Sequence, residues 1–241
     1  MGENTAGMTE AQKKPLRPLD AHERRVLGVL IEKGKTTPDQ YPLSLNAVVT
    51  GSNQKSNRDP AMTLDEESVT RALVSLRQAG AIAEVFGSGK IPRYRHLAYE
   101  WFGVGKEELA IMGELLLRGE QSEGDLRGRA SRMDLFPDLD ALRKHLDTLA
   151  SRGLVIWLSP PGRGRMLTHG LLPTEKLEKV RSQVAAVAKA LVTVDAEPIS
   201  SDASRADGGV ASEPLAARVA RLEVEVVELR ERLATVERAS A

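Results

Sequence analysis

Apolar and polar positions along the chain form two copies of one pattern. A shift of 85 residues places 19–34 on 104–119, and a shift of 73 residues places the end of the first copy on the end of the second. The copies therefore differ by one insertion of 12 residues, between Gly34 and Leu64. Self-similarity over this length indicates two structural units of the same kind.

Each copy predicts three helices followed by two short strands. In the first helix, Asp20 and Glu23 can form a capping box, and Gly34 is expected to end the helix. The first copy places the elements at 21–33, at a short helix capped by Ser44, at a helix from Thr63 or Asp65 to Gly80, and at strands 82–86 and 91–96. The second copy places them at 106–118, 122–130, 139–152, 154–158 and 165–169.

Three helices followed by a hairpin form the helix-turn-helix arrangement with a wing. The predicted fold class is therefore mostly α with small β wings (α+β), with one winged helix-turn-helix domain at 16–100 and a second at 101–172. The alternative is a pair of ordinary three-helix α+β domains. The hairpin follows the third helix in both copies, which favours the winged helix.

The remainder of the chain predicts a disordered N-terminus at 1–15, an amphipathic helix at 173–194, a flexible linker at 195–213 and a coiled-coil helix at 214–238. The last segment has a heptad spacing of apolar residues, and its flanking charges are opposite in sign when two parallel copies are aligned. We therefore expect a homodimer, although the helix could instead fold back on its own chain. The heptad residues are Leu215, Val219, Leu222, Val226, Leu229, Leu233 and Val236.

The amino-acid composition limits the kinds of catalytic and metal sites that the chain can form. The chain has no cysteine and four histidines, which excludes disulfides and thiol catalysis and leaves few possible metal sites. No phosphate-binding loop, nucleophile elbow or metalloprotease motif is present, so we predict no enzyme activity and no cofactor. His96 and His169 end equivalent strands, which indicates a shared structural role. The sequence has no signal peptide or apolar span, so we expect a cytoplasmic protein without a membrane partner.

Basic residues on the predicted wings and helices are candidates for binding nucleic acid. Lys+Arg and Asp+Glu are equal at 34 each, so such binding depends on local clusters. The loop Asn53–Pro60 either offers side chains to DNA or is held by its own hydrogen bonds. The candidate residues are Lys55, Asn57, Arg58, Arg71, Lys90, Arg93, Arg95, Arg127, Arg129, Arg132, Lys144, Arg163 and Arg165.

Four segments also carry a family resemblance: QKSNRDPAM at 54–62, LDAHERRVLGVLIEKG upstream, SLRQAG at the end of the third helix and RASRMDLFPDL in the second copy. With these segments the chain resembles the YceH-like family of uncharacterised bacterial proteins over about 16–172. The resemblance implies a tandem winged-helix fold and supplies no activity.

Together these patterns predict a regulatory protein that binds double-stranded DNA. Its wings would contact phosphates and its third helices would contact bases. The alternative is a non-catalytic module that binds other proteins, comparable to the tandem winged-helix subunit ScpB of bacterial condensin.

Overall fold

The structure is a computed structural model that describes residues 16–86 and 91–195. The first repeat contains α1 (Ala21–Thr36), a 3-10 turn (Pro38–Gln40), β1 (Leu43–Ser44), α2 (Leu45–Ser52), α3 (Glu66–Gln78), β2 (Ile82–Phe86), β3 (Pro92–His96) and α4 (Ala98–Phe102). The second contains α5 (Lys106–Arg118), β4 (Gln121–Ser122), α6 (Glu123–Ala130), α7 (Leu139–Ser151), β5 (Val155–Trp157) and β6 (Met166–His169), and α8 (Thr174–Asp195) follows. The predicted N-terminal disorder, the linker from 196 onward and the coiled-coil helix lie outside these residues.

Each repeat forms a three-stranded antiparallel sheet with the same strand order. The orders are β1-β3-β2 and β4-β6-β5, so the last strand is central in both. Leu43 pairs with Tyr94 and Ile82 with His96 in the first sheet. Helices and small antiparallel sheets confirm the predicted α+β class. β1 and β4, two residues each, were absent from the prediction because an apolar alternation cannot be recognised in so short a strand.

Most of the residues predicted to begin or end a helix do so in the structure. Asp20 accepts a hydrogen bond from the Glu23 amide at 2.8 Å, which forms the predicted capping box. Asp65 is the N-cap residue of α3, and Gly80, with a φ of 80°, follows the end of this helix. The prediction that Gly34 ends α1 is wrong, since α1 continues to Thr36. A Cβ atom at Gly34 would lie 3.2 Å from Nε2 of His96, so this glycine leaves room for the histidine ring.

The two repeats share one core, in which α1 packs along α5. Gly28 and Gly113, which correspond in the two copies, each lie against side chains of the facing helix. A Cβ atom at Gly28 would be 2.9 Å from Cγ of Leu117, and one at Gly113 would be 2.7 Å from Cγ2 of Ile31. A Cβ atom at Gly28 would also lie 3.2 Å from Cβ of Leu116, the residue that corresponds to Ile31. Equivalent glycines thus contact equivalent aliphatic residues, as in the isologous interface of a symmetric dimer.

α8 is shifted by one residue at each end from the predicted range of 173–194, and its contact with the core is limited. Val180 is buried, whereas Val187, two turns later, is 62% exposed. None of the helices that the structure describes has the length and apolar character needed to cross a membrane.

Candidate nucleic-acid interface

A basic surface lies on the central strand of the first sheet. Arg93 and Arg95 are exposed, while their neighbours in β3 are half-buried on the other side of the strand. Side chains alternate along a strand, so both arginines point to the same face. Val85 lies opposite Arg93, and Ala83 lies opposite Arg95. We call the surface formed by these four residues the β3 face; it contains two guanidinium groups and no carboxylate.

The two arginines of the β3 face are not neutralised within the described part of the chain. Nη1 of Arg93 donates to the carbonyl of Pro42 at 2.9 Å, and Arg95 makes no hydrogen bond or ion pair there. The opposite face of the sheet differs, because Glu84 on that side forms an ion pair with Arg77. The charge of Arg93 and Arg95 is therefore available to an external anion.

The corresponding strand of the second repeat lacks this surface. Met166 and Thr168 occupy the positions equivalent to Arg93 and Arg95, and Thr168 is fully buried. Arg165, next to β6, stacks on Trp157 with its guanidinium carbon 3.5 Å from the ring centroid. Arg163 is exposed. The two predicted wings therefore present different chemistry, and Lys90 in the first one lies outside the described residues.

The third helices are less favourable for nucleic acid than the β3 face. α3 begins with Glu66 and Glu67, and Arg71 on its exposed side forms an ion pair with Glu67. The acidic groups stabilise the helix N-terminus through its dipole, but they repel phosphates at the end that would approach DNA. In α7, Lys144 is exposed and has no ion-pair partner among the described residues.

The loop singled out in the sequence is held mainly by internal contacts. The Arg58 side chain is fully buried, and both of its terminal nitrogens donate to the Glu32 carboxylate. Its Nε donates to the carbonyl of Gly51 at 3.0 Å. Asn57 has a φ of 57° and accepts a hydrogen bond from Arg118 at 3.0 Å. Arg58 therefore cannot contact DNA and is corrected to a structural residue. Lys55 remains exposed.

Arg132 belongs to the same structural arrangement. It pairs with Glu32 and, at 2.9 Å, with Glu114, whose other oxygen lies 3.0 Å from Nε of Arg118. We call Glu32, Arg58, Glu114, Arg118 and Arg132 the ionic cluster. It connects α1, the insertion, α5 and the segment after α6. Burial opposes ionisation of Glu32, yet hydrogen bonds and charge from Arg58 and Arg132 lower its pKa.

Arg127 and Arg129, the candidate residues nearest to Arg132 in sequence, also make contacts within the protein. Nη1 of Arg127 donates to the carbonyls of Phe136 and Pro137, at 3.3 and 3.0 Å. Nη1 of Arg129 donates to the Gln121 side chain at 3.0 Å. These contacts hold the connection between α6 and α7 and the start of α6. Arg127, Arg129 and Arg132 are therefore held by contacts within the fold and are not part of the candidate interface.

Sequence reasoning missed the ionic cluster because its two acids look like ordinary helix residues. Glu32 and Glu114 are both buried, although each lies in a helix with acidic and basic neighbours in sequence. Their burial follows from the packing of α1 on α5, which no local pattern shows. The only signal was the concentration of polar side chains in the loop that supplies Arg58.

The two equivalent histidines make the same local contact. Nδ1 of His96 accepts a hydrogen bond from the Ala98 amide at 3.3 Å, and Nδ1 of His169 accepts one from the Leu171 amide at 3.2 Å. Burial lowers the pKa of His96 to about 4 and that of His169 to about 3. Both rings are therefore neutral at physiological pH, in agreement with a structural role.

The chain is similar in sequence to a family of known proteins. The profile described as "Protein of unknown function, DUF480" matches residues 19–163, which include the first repeat and the second repeat up to the loop before β6. The chain is 52% identical over 192 residues to a UPF0502 protein of Rhodopirellula baltica, covering 78% of this chain and 80% of that one. It is 38% identical over 230 residues to a UPF0502 protein of Xanthomonas axonopodis, covering 95% and 96% of the two chains.

Proposed function

We propose that this protein, which belongs to the family of proteins of unknown function DUF480, is a non-catalytic protein that binds double-stranded DNA. The family membership expected from the QKSNRDPAM segment is confirmed, and the curated relatives carry the name UPF0502. Because the family name assigns no activity, the proposal rests on the fold and charge of this chain.

The order of elements supports a tandem winged helix. Each repeat runs helix, strand, helix, helix, hairpin, and the strand before the second helix pairs with the last strand of the hairpin. Proteins with this order place the third helix and the hairpin beside each other, on the side that contacts DNA. This analogy concerns the fold, so the residues must support the function.

The observation that carries the proposal is the exposed, unneutralised pair Arg93 and Arg95 on the β3 face. Two guanidinium groups two residues apart on one strand can contact successive phosphates, and arginine binds phosphate through two parallel hydrogen bonds. Lys55, Lys144 and Arg163 are further exposed cations. Phosphate contacts supply affinity and position the protein, so binding through this surface would be strongly salt-dependent and weakly dependent on sequence.

The test is fluorescence anisotropy with a labelled duplex of mixed sequence over a series of salt concentrations. The double variant Arg93→Gln, Arg95→Gln removes both charges of the β3 face. Each lost phosphate contact lowers the slope of log K against log salt by about 0.9, so we expect the slope to fall by about 2. At low salt the affinity should fall by roughly tenfold or more.

A matched control removes two arginines that are already in ion pairs. Arg77 pairs with Glu84, and Arg181 pairs with Glu178 on α8. The variant Arg77→Gln, Arg181→Gln changes the net charge by the same amount and should bind like the unmodified protein. An equal loss of affinity in both double variants would show that net charge alone causes the effect. Absence of binding by the unmodified protein at low salt would refute the proposal.

A second candidate function is a protein-binding module, and one observation favours it. Phe86 and Ile91, at the end of the first hairpin, are 66% and 70% exposed. Large exposed apolar side chains close together are typical of protein interfaces. Affinity capture from lysate with and without nuclease separates the two functions. A retained protein lost on Phe86→Ser, and unaffected by nuclease, would support the module.

A further inference from the structure

A cavity of about 480 Å³ lies between the two repeats. Its walls come from the start of α1, the insertion, the end of α5 and the segment that joins β6 to α8. Cavities of this volume are within the range of small-molecule sites. We propose that it binds a small molecule that carries an oxyanion group, either a carboxylate or a phosphate. This site is separate from the β3 face.

Arg25 is the central observation. It lines the cavity, is 1% exposed and has no carboxylate partner within ion-pair distance among the described residues. Its Nη1 donates to the carbonyl of Ser52 at 3.0 Å and its Nη2 to that of Pro60 at 2.6 Å, while its buried Nε makes no hydrogen bond. Three of the five N–H groups of this guanidinium are therefore unused.

A buried guanidinium without a counter-ion is costly, so arginines this deep are normally paired. The contrast with Arg58 is direct, since that equally buried arginine is held by the Glu32 carboxylate. Burial, together with the charge of Arg58, lowers the pKa of Arg25 to about 10, which leaves it charged at neutral pH. Asp59 and Glu32 act on Arg25 only from beyond ion-pair distance. An oxyanion in the cavity would supply the direct counter-ion that the described residues do not.

Arg24 adds a second cation, on which the carboxylates of Asp20, Glu23 and Glu120 act only from beyond ion-pair distance. It also lines the cavity, and its Nη1 donates to the carbonyl of Leu19 at 2.5 Å. Burial lowers its pKa, and it forms no ion pair within residues 16–86 and 91–189. Lys176, on the first turns of α8, is exposed at the same cavity. Arg24 and Arg25 from α1 and Lys176 from α8 thus line the same cavity.

The cavity also contains carboxylates, and their positions matter for the ligand. Asp20 is engaged at the N-terminus of α1, where it accepts from the Glu23 amide. Asp59 and Glu120 line the cavity without reaching ion-pair distance of Arg24 or Arg25. They leave the guanidinium groups open and could accept hydrogen bonds from a hydroxyl or amine of the ligand. Apolar side chains such as Leu116 and Leu172 complete the wall.

His169 gives a direct reporter, because it lines the cavity and is one of four histidines in the chain. The Hε1 proton signals of the histidine rings are followed by NMR while inorganic phosphate or succinate is added to the full chain at constant ionic strength. Substituting each histidine in turn assigns the signals. We expect a saturable shift of the His169 signal with at least one probe. The His96 signal should not move, since His96 does not line the cavity.

Arg24→Gln should weaken probe binding at least tenfold, and Lys176→Gln should weaken it less, because Lys176 is exposed. Arg181→Gln is the control on the same helix and should bind within twofold of the unmodified protein. Arg24 is chosen because replacing Arg25 would also release the Ser52 and Pro60 carbonyls and could unfold the insertion. Unsaturable shifts, equal shifts at all four histidines, or unchanged binding by Arg24→Gln would overturn the proposal.

Discussion

Gly113→Ala is expected to destabilise the protein, although alanine is the better helix former. In an open helix the exchange gains about 1 kcal/mol. Here the added Cβ would lie 2.7 Å from Cγ2 of Ile31, well inside the 3.5–4.0 Å at which carbon atoms attract. Ile31 is fully buried and β-branched, so the methyl group cannot rotate away. Overpacking costs about 1–3 kcal/mol, which gives a net loss of up to about 2 kcal/mol.

Gly128→Ala is the matched control, because Gly128 lies inside α6 and a Cβ atom there meets nothing within 4 Å. It should stabilise the protein by up to about 1 kcal/mol. The measurement is guanidinium denaturation followed by far-UV circular dichroism, which gives the free energy of unfolding of each variant.

A double-mutant cycle tests the cause. Ile31→Ala removes the obstructing methyl group and should itself cost about 2–5 kcal/mol. In that background Gly113→Ala should become stabilising, with a coupling energy of about 1–3 kcal/mol. If Gly113→Ala stabilises the unmodified protein as much as Gly128→Ala does, α1 and α5 do not pack as described and the reasoning fails.

Three further predictions concern the histidines, the ionic cluster and the terminal helix. Histidines of the unfolded chain bind protons with a pKa of about 6.5, whereas buried His96 and His169 stay neutral to a much lower pH. The free energy of unfolding is therefore highest above pH 6.5 and falls as the pH decreases towards 4, by about 2 kcal/mol per histidine at pH 5. The double variant His96→Gln, His169→Gln should remove most of this pH dependence, as measured by denaturation curves at each pH. Arg58→Met should lower the free energy of unfolding by up to about 3–5 kcal/mol because the buried Glu32 carboxylate keeps only Arg132 as a partner, whereas Arg71→Met, which breaks an exposed pair, should cost less than about 1 kcal/mol; similar losses would contradict the buried pairing. Light scattering should give a dimer for the full chain and a monomer for a chain ending at 194, and equal masses would reject the coiled coil as the element of assembly.

Much of the fold could be predicted because its signals are local. The helix at 106–118 and the strand at 82–86 have the predicted bounds, since apolar spacing and capping residues act within a few positions. α4 was not predicted, because its five residues are too few to show a helical period. Gly34 misled the prediction because a glycine at a close contact looks in sequence like a glycine that ends a helix.

The candidate site was less predictable, because it depends on which charges are paired. Arg93 and Arg58 both appear in the sequence as basic residues with a second basic residue within three positions. The alternation in β3 exposes the first, whereas the partner of the second, Glu32, lies 26 residues away in the chain. Arg132 and Glu32 are 100 residues apart. Pairing at such separations follows from the packing of α1 on α5, which the sequence does not display.

The joining of two like units on one polypeptide has a consequence for how their surfaces can change. In a dimer of identical chains every substitution is present in both subunits. Here Arg93 and Arg95 stand on one half while Met166 and Thr168 stand at the matching places on the other, and the insertion that carries Arg58 occurs once. Because both units lie on one polypeptide, a substitution changes only one of them, so the first can carry a charged surface that the second lacks.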